Sequence, residues 1–319
     1  MPEFQSALVT GATGFIGAAL VHDLLGQGKT VICPVRRGSI GIARLGNHER
    51  LTIVELDDFS EDSLKTGLGS ATTDVVFHLA SYGVRPSDQD PSEILTGNVG
   101  LVDALLRVTS DWGLKKFIHV GTFSEYAPIG TNEARIPVTE DHPLRPDSLY
   151  GAGKASAGIW GHALASRLGT TFVALRMFHV YGPGEADHRL LPFIIDRLID
   201  ENPVDLSPGD QVRDVIYIDD ASKAIQAAAT AEGLSEPTYN ISTGVGVSIR
   251  DMGEMAVEVM NKPKNLLNWG GRDYRPGEAM WMVGDNSKFV RDTGWQSTVS
   301  LKDGIRMTIE NRISRTQSD

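Results

Sequence analysis

A tyrosine and a lysine four residues apart, Tyr150 and Lys154 in the run YGAGK, are residue types that move a proton. On a helix, positions i and i+4 lie on one face. An ammonium beside a phenol favours the phenolate and lowers the phenol's pKa from about 10. The result is a group able to exchange a proton near neutral pH. Such pairs also occur by chance, so their surroundings decide. Upstream, KFIHVGT ends an apolar strand on a hydroxyl, Thr122. At the carboxyl edge of a parallel strand a hydroxyl faces the ligand crevice, where Thr122 can bond a substrate oxygen or cap the following turn. A third constellation is TGATGFIG at positions 10–17. It follows the apolar run Ala7-Leu8-Val9 and opens a segment with helical spacing at Ile16, Leu20, Leu24 and Leu25. Strand, glycine-rich turn and helix form the context in which a loop holds a dinucleotide pyrophosphate. Gly11 permits the tight turn, Gly14 lets the backbone approach phosphate, and Gly17 lets the helix pack closely. The unpaired N–H groups at the helix start then face the negative charge. Gly11, Thr13, Gly14, Phe15, Ile16 and Gly17 are the expected contacts. The spacing G-x-x-G-x-x-G is a variant of the G-x-G-x-x-G pattern.

Those residues need a scaffold, and the first half of the chain alternates in the required way. Strand-like runs fall at 7–9, 30–35, 51–56, 74–79, 116–120 and 171–175, with helical segments at 18–27, 60–68, 94–111 and 148–168. Alternation of this kind implies a parallel sheet covered on both faces. With right-handed crossovers this is an α/β, doubly wound, Rossmann-type domain. After about Phe178 the pattern loosens, with Pro183, Pro192, Pro203 and Pro208 around one helix at 190–200. A strand at 215–218 and a helix at 220–231 return to the alternating style. The expected division is 1–177 plus 212–242 for the dinucleotide domain, and 178–211 plus 243–319 for a smaller C-terminal substrate-binding lobe.

The chain has 319 residues and a net charge of −11. It shows no basic face of the kind nucleic-acid binding needs and no apolar stretch of the ~20 residues that crosses a bilayer. The N-terminus, MPEFQS, lacks the basic region of a secretory signal. The one cysteine, Cys33, sits in an apolar run, so a cytoplasmic setting is expected. No metal site is expected. The second strand ends Val35-Arg36-Arg37-Gly38-Ser39, and no carboxylate lies between positions 30 and 39. NAD-selective sites place an acidic residue there for the ribose hydroxyls. Arg36, Arg37 and Ser39 can instead bind a 2′-phosphate, which favours NADP(H) over NAD(H); a solvated basic turn is the plain alternative.

Taken in order, TGATGFIG, FHLA (77–80), a strand-end threonine and YGAGK resemble the extended short-chain dehydrogenase/reductase family, in its nucleotide-sugar epimerase, dehydratase and ketoreductase group. The resemblance continues through RMFHVYGPGE (176–185), GDQVRDVIYIDDASKAI (209–225), YNISTGVGVSI (239–249) and RPGEAMWMVGDNSKFVRDTGW (275–295), and so covers nearly the whole chain. It implies that Tyr150 donates or accepts the proton, that Lys154 tunes it and holds the nicotinamide ribose, and that Thr122 orients the reacting oxygen. It places Asp57 or Asp58 near adenine and His78, Leu79 and Ala80 along the cofactor groove. Arg213 and Arg275 would clamp a substrate diphosphate, with Tyr82, Arg85, Ser124 and His179 as sugar contacts. Asn98 would tie the central helix to the sheet. The helices at 94–111 and 148–168 resemble the pair that forms a dimer interface in this family, so a homodimer is expected, with Trp160 and Leu164 suited to that face.

Two departures bear on the reaction. The 4,6-dehydratases of this group follow their threonine with Asp-Glu, an acid and a base for eliminating water, whereas Thr122 is followed by Phe123 and Ser124. Glu125 comes one place too late and is expected to point elsewhere, though within reach. His179 replaces the usual asparagine. The expectation is an NADPH-dependent ketoreductase acting on a nucleotide-linked keto-deoxysugar at C4, with no metal. The alternatives are an NAD-dependent nucleotide-sugar epimerase that retains its cofactor, a dihydroflavonol-type reductase, and a non-catalytic NADP-binding sensor or scaffold.

Overall fold

A computed structural model describes residues 3–85, 87–129 and 134–316. The strands are β1 (Ser6–Thr10), β2 (Thr30–Arg36), β3 (Leu51–Leu56), β4 (Val75–His78), β5 (Lys116–Thr122), β6 (Phe172–Met177), β7 (His179–Tyr181), β8 (Val204–Leu206), β9 (Val212–Tyr217), β10 (Thr238–Ile241), β11 (Gly246–Ser248), β12 (Leu267–Trp269) and β13 (Trp281–Met282). The helices are α1 (Phe15–Gly26), α2 (Glu61–Leu68), α3 (Pro91–Leu95), α4 (Leu101–Thr109), α5 (Leu149–Leu168), α6 (Leu190–Ile199), α7 (Ile218–Thr230), α8 (Ile249–Met260), α9 (Ser287–Thr293) and α10 (Leu301–Thr316).

Seven parallel strands form the large sheet in the order β10-β6-β5-β4-β1-β2-β3. This is the doubly wound Rossmann arrangement. Its strands read as continuous apolar runs because both faces are covered. Alternate residues divide between two cores: Ala7 and Val9 face the cluster built on α1 and α7, and Leu8 faces the cluster built on α2, α4 and α5. The strand order reverses between β1 and β4, which opens the ligand crevice at their carboxyl ends. The smaller lobe has its own core, with Ile194, Leu198, Met252, Val257, Ile305 and Ile309 contributed by α6, α8 and α10. Segment 212–242 divides between the lobes. β9 pairs with β7, β11 and β13 in the small sheet, while β10 closes one edge of the large one.

The single helix expected over 94–111 is broken into pieces. It starts earlier, at Pro91 with Asp90 as N-cap. It widens into a π-turn at Thr96–Gly100, and α4 then gives way to a 3-10 turn at Ser110–Trp112. The cause is Asn98, which is buried. Its Nδ2 donates to the carbonyls of Ile94 at 2.8 Å and Tyr82 at 3.0 Å, and a side chain bonding a helix carbonyl competes with the regular ladder. Asn98 thus ties this helix to the loop after β4.

The tightest packing is at the glycine loop. Gly11 has φ of +70°, and a Cβ there would lie 2.6 Å from the Ala80 nitrogen; a Cβ on Gly17 would lie 2.1 Å from the Gly11 carbonyl oxygen. Gly17→Ala should therefore destabilise the protein by ~1–3 kcal/mol, the usual range for overpacking, with a lower midpoint in urea denaturation.

Candidate functional site

The crevice opens into a cleft of about 890 Å³ between the lobes. One wall is the glycine loop. Gly14 is the N-cap of α1 and offers no side chain, so the first-turn amides are left for a ligand. Gly11, Thr13, Gly14, Phe15, Ile16 and Gly17 all line the cleft. The space that a Cβ on Gly11 or Gly17 would occupy is taken by backbone, and the uncapped helix start borders open volume. These features fit a dinucleotide pyrophosphate. Ser39 also lines the cleft, its Oγ 3.4 Å from Thr13 Oγ1. The 3-10 turn Ile40–Leu45 lies over the loop, and its Arg44 donates to the Gly184 carbonyl at 3.4 Å. Sequence reasoning gave Arg44 no role, because its contact spans 140 residues.

The turn expected to take a 2′-phosphate is only half open. Arg36 is exposed at the end of β2, but Arg37 Nε is paired with Asp57 Oδ1 at 2.5 Å. That pair occupies both Arg37, expected on phosphate, and Asp57, expected near adenine. Asp58 accepts from the backbone and hydroxyl of Ser60 at the start of α2, which holds its pKa down to about 2. Neither aspartate lines the cleft. Along β4, Leu79 lines it, whereas Ala80 packs against the core and its N–H points to Thr10 Oγ1. His78 is wholly buried, with Nδ1 2.7 Å from Thr10 Oγ1.

The proton-transfer residues come together as their spacing requires. Ser148 caps α5, accepting from Gly151 N at 3.1 Å, and places Tyr150 and Lys154 in its first turns. Gly151 lets that helix start sit on the turn after β5, since a Cβ there would lie 2.2 Å from the Ser124 carbonyl oxygen. Tyr150, Lys154, Thr122 and Ser124 share the cleft wall with Ser81, and the Ser81 and Thr122 hydroxyls act downward on the Tyr150 pKa. Ser81 carried no signal beyond its place after FHLA. The expected direction of the tyrosine's pKa shift is reversed. Burial pushes the phenol up to about 12, with the Glu125 charge adding to the rise. Lys154, 1 % exposed, is itself drawn down to about 8 by burial. Burial disfavours charge on both groups, so the resting pair is a neutral phenol beside an easily deprotonated lysine.

Next to Thr122, His179 lies against Phe123, with ring centroids 4.0 Å apart and the planes tilted by 30°. Burial and the nearby Arg213 lower its pKa to about 3, so the ring is neutral, and its buried Nδ1 has no partner. It is a hydrogen-bonding group rather than an acid. Arg213 lines the cleft but is paired with Glu278 at 2.8 Å. Arg275 is exposed on the turn leading to Glu278 and does not line the cleft, so the two-arginine clamp is not assembled. Arg85 and the unanticipated Arg189 do border the space. Tyr82 does not; its backbone is held by Asn98. Glu185 is a further unanticipated carboxyl on this wall, with Oε2 buried and unpartnered and its pKa raised to about 7 by burial. Among the described residues, no group of three or more metal-ligating side chains is arranged to hold an ion, and no helix is long and apolar enough to cross a membrane.

Residues 7–242 match the model of the NAD dependent epimerase/dehydratase family. The chain belongs to that family. It is 30% identical over 313 residues to a dTDP-glucose 4,6-dehydratase of Streptomyces griseus, covering 95% of this chain and 92% of the relative. The UDP-glucose 4-epimerase of Thermotoga maritima, solved with UDP-glucose, superposes with a TM-score of 0.87 at 26% identity, over 98% of this chain and 99% of that one. A UDP-glucuronic acid 4-epimerase of Bacillus cereus, solved with NAD, gives 0.84 at 28% identity, over 97% and 99%. The chain is thus an enzyme of the nucleotide-sugar epimerase and dehydratase family with a Rossmann-type sheet.

Glu185 gives a test of the cleft's polarity. Its carboxyl is protonated in the fold up to about pH 7 but ionises near 4.5 when unfolded. The folded state thus binds the extra proton between these values, and stability falls as pH rises through them. Glu185→Gln, an isostere of the protonated form, should match the wild type at pH 4. Above pH 7 it should exceed it by up to ~3 kcal/mol, as read by denaturant unfolding of the ligand-free protein.

Proposed function

We propose that this enzyme is an NADPH-dependent ketoreductase acting on a nucleotide-linked keto-deoxysugar, with reduction at C4. The observation that carries the reading is the residue after Thr122. Phe123 lies against His179 at 4.0 Å, and a phenyl ring in that place cannot transfer the proton that eliminating water requires. Reduction needs only one proton donor. Tyr150, beside Thr122 in the cleft wall and held protonated by burial, is in the state a donor to a carbonyl needs. Thr122 steadies the carbonyl oxygen, and Lys154 lies one helical turn behind the phenol on the side of the cofactor groove. When bound, the reduced nicotinamide supplies the hydride. The residues that would hold it are Gly11, Gly14 and Gly17 at the pyrophosphate, Leu79 along the groove, and Arg36 with Ser39 at the adenosine end. Arg36 at the close of β2, with no carboxylate in the chain between positions 30 and 39, favours the 2′-phosphate form. The chain's own groups supply positioning and a dry, polar environment for the developing alkoxide. Arg85, Arg189 and Arg213 are the cationic groups suited to the substrate diphosphate.

An NAD-dependent 4-epimerase is the second reading, favoured by the likeness to 4-epimerases, one of them solved with NAD. A homodimer through segment 94–111 and α5 is supported by Leu95, Ile159 and Trp160, which remain 58%, 62% and 49% exposed, whereas Leu164, expected on that face, packs against the core instead.

Purified protein mixed with NADPH and a panel of 4-keto-6-deoxy sugars on different nucleotides should show loss of absorbance at 340 nm with at least one of them. No consumption, together with copurifying NAD⁺ and interconversion of nucleotide hexoses, would establish the epimerase instead. Tyr150→Phe should lower kcat by at least ~100-fold, the scale of general acid catalysis, with cofactor affinity nearly intact by fluorescence titration. Arg36→Ala should raise KM for NADPH by ~10-fold, the weight of one charge-assisted contact, while leaving KM for NADH unchanged.

A further inference from the structure

Beneath Thr122 lies a carboxylate that the reaction above does not use. Glu125 is 3 % exposed. Its Oε1 accepts the backbone N–H of Thr122 at 2.8 Å, and Thr122 Oγ1 accepts the N–H of Ser124 at 3.2 Å, a reciprocal capping box around the turn. Its Oε2 accepts from Arg176 Nε at 2.8 Å. Arg176 also donates to the Tyr126 hydroxyl at 3.0 Å and lies 4.7 Å from the centre of that ring. Room for the carboxylate is made by Gly121, where a Cβ would lie 2.3 Å from Glu125 Oε1. Gly121 and Arg176 face each other across β5 and β6. An empty position, a carboxylate and a guanidinium thus form one matched set.

A buried ion pair is a poor device for stability, since desolvation offsets its attraction. Its place in the cleft wall gives it another use. The Glu125 charge acts upward on both Tyr150 and Lys154. We propose that Glu125 is a positioning residue: it fixes the Thr122 hydroxyl through the capping box and places a buried negative charge in the wall behind the Tyr150–Lys154 pair. This rests on Tyr150 being the proton donor. The other charged or titratable groups facing the pair are Arg189 near Tyr150 and the neutral His78 and His119 near Lys154. Glu125 itself is faced by Arg176 and Tyr126, with Glu140 beyond them. A negative charge favours the protonated form of each neighbour, so its removal lowers both pKa values. A donor that must carry its proton then loses activity at a lower pH.

Glu125→Gln keeps an acceptor for the Thr122 N–H and removes the charge. The alkaline limb of kcat for reduction should move down by about half a pH unit or more. In cofactor-free protein carrying ¹³C-lysine, the Lys154 Cε resonance, assigned by its loss in Lys154→Arg, should titrate at a lower pH than in wild type. Gly121→Ala retains the charge but crowds the carboxylate, and should lower kcat with the limb in place. If Glu125→Gln does not fold, Glu125→Gln with Arg176→Gln leaves no lone buried charge and carries the same test. An unmoved limb together with an unmoved Lys154 midpoint would overturn the proposal. Full turnover by Tyr150→Phe would instead overturn the role of Tyr150, and the Lys154 titration would still report on Glu125.

Discussion

Backbone meets backbone where β1, α1 and the end of β4 converge. The Gly11 carbonyl occupies the space a side chain at Gly17 would need, and the chain at Leu79 and Ala80 occupies the space one at Gly11 would need. This contact brings the start of α1 down onto the sheet at its switch point. The amides of the first turn therefore open into the cleft rather than onto solvent. The positions of Thr13 under the Ile40–Leu45 turn, and of Phe15 beside Gly184, follow from the same approach. The far wall is built by equivalent means. Gly151 brings the start of α5 onto the turn after Thr122, and Gly153 lets the same helix meet Ile94 and Asn98. Each half of the cleft depends on side chains that are missing.

The cleft so formed is polar, and Arg44, Arg85 and Arg189 bring positive charge to its lining. Burial holds Tyr150, His179 and Glu185 neutral and weakens the charge of Lys154. Glu125 and Arg213 are each matched by an opposite charge at 2.8 Å. In such a medium a small number of fixed dipoles and charges act strongly on a developing alkoxide.

Much of this is legible in the sequence, and the boundary is physical. The glycine loop, the strand-end Thr122 and the YGAGK pair are local patterns whose geometry follows from backbone periodicity, and the structure brings them into one cleft. The free state of an arginine is not local. Arg37 is occupied by Asp57, 20 residues away, and Arg213 by Glu278, 65 away, and only the fold reveals such partners. The sign of the Tyr150 shift is not legible in the sequence for a related reason. An i,i+4 spacing reports a neighbour but not the depth at which both groups sit, and here desolvation outweighs the neighbour's charge. The π-turn at Asn98 leaves no mark in the sequence, because apolar spacing continues across it while a buried amide redirects the carbonyls.

The central claim, net reduction of a sugar ketone with Tyr150 as proton donor, is tested most directly with NADPH deuterated at nicotinamide C4. Incubation with a nucleotide-linked 4-keto-6-deoxy sugar, followed by mass spectrometry of the product, should show one deuterium retained on the sugar carbon for each NADP⁺ released, on whichever prochiral face transfers. A product formed without deuterium from either labelled face, with no NADP⁺ released, would contradict the account and assign the protein to chemistry in which the cofactor is only borrowed.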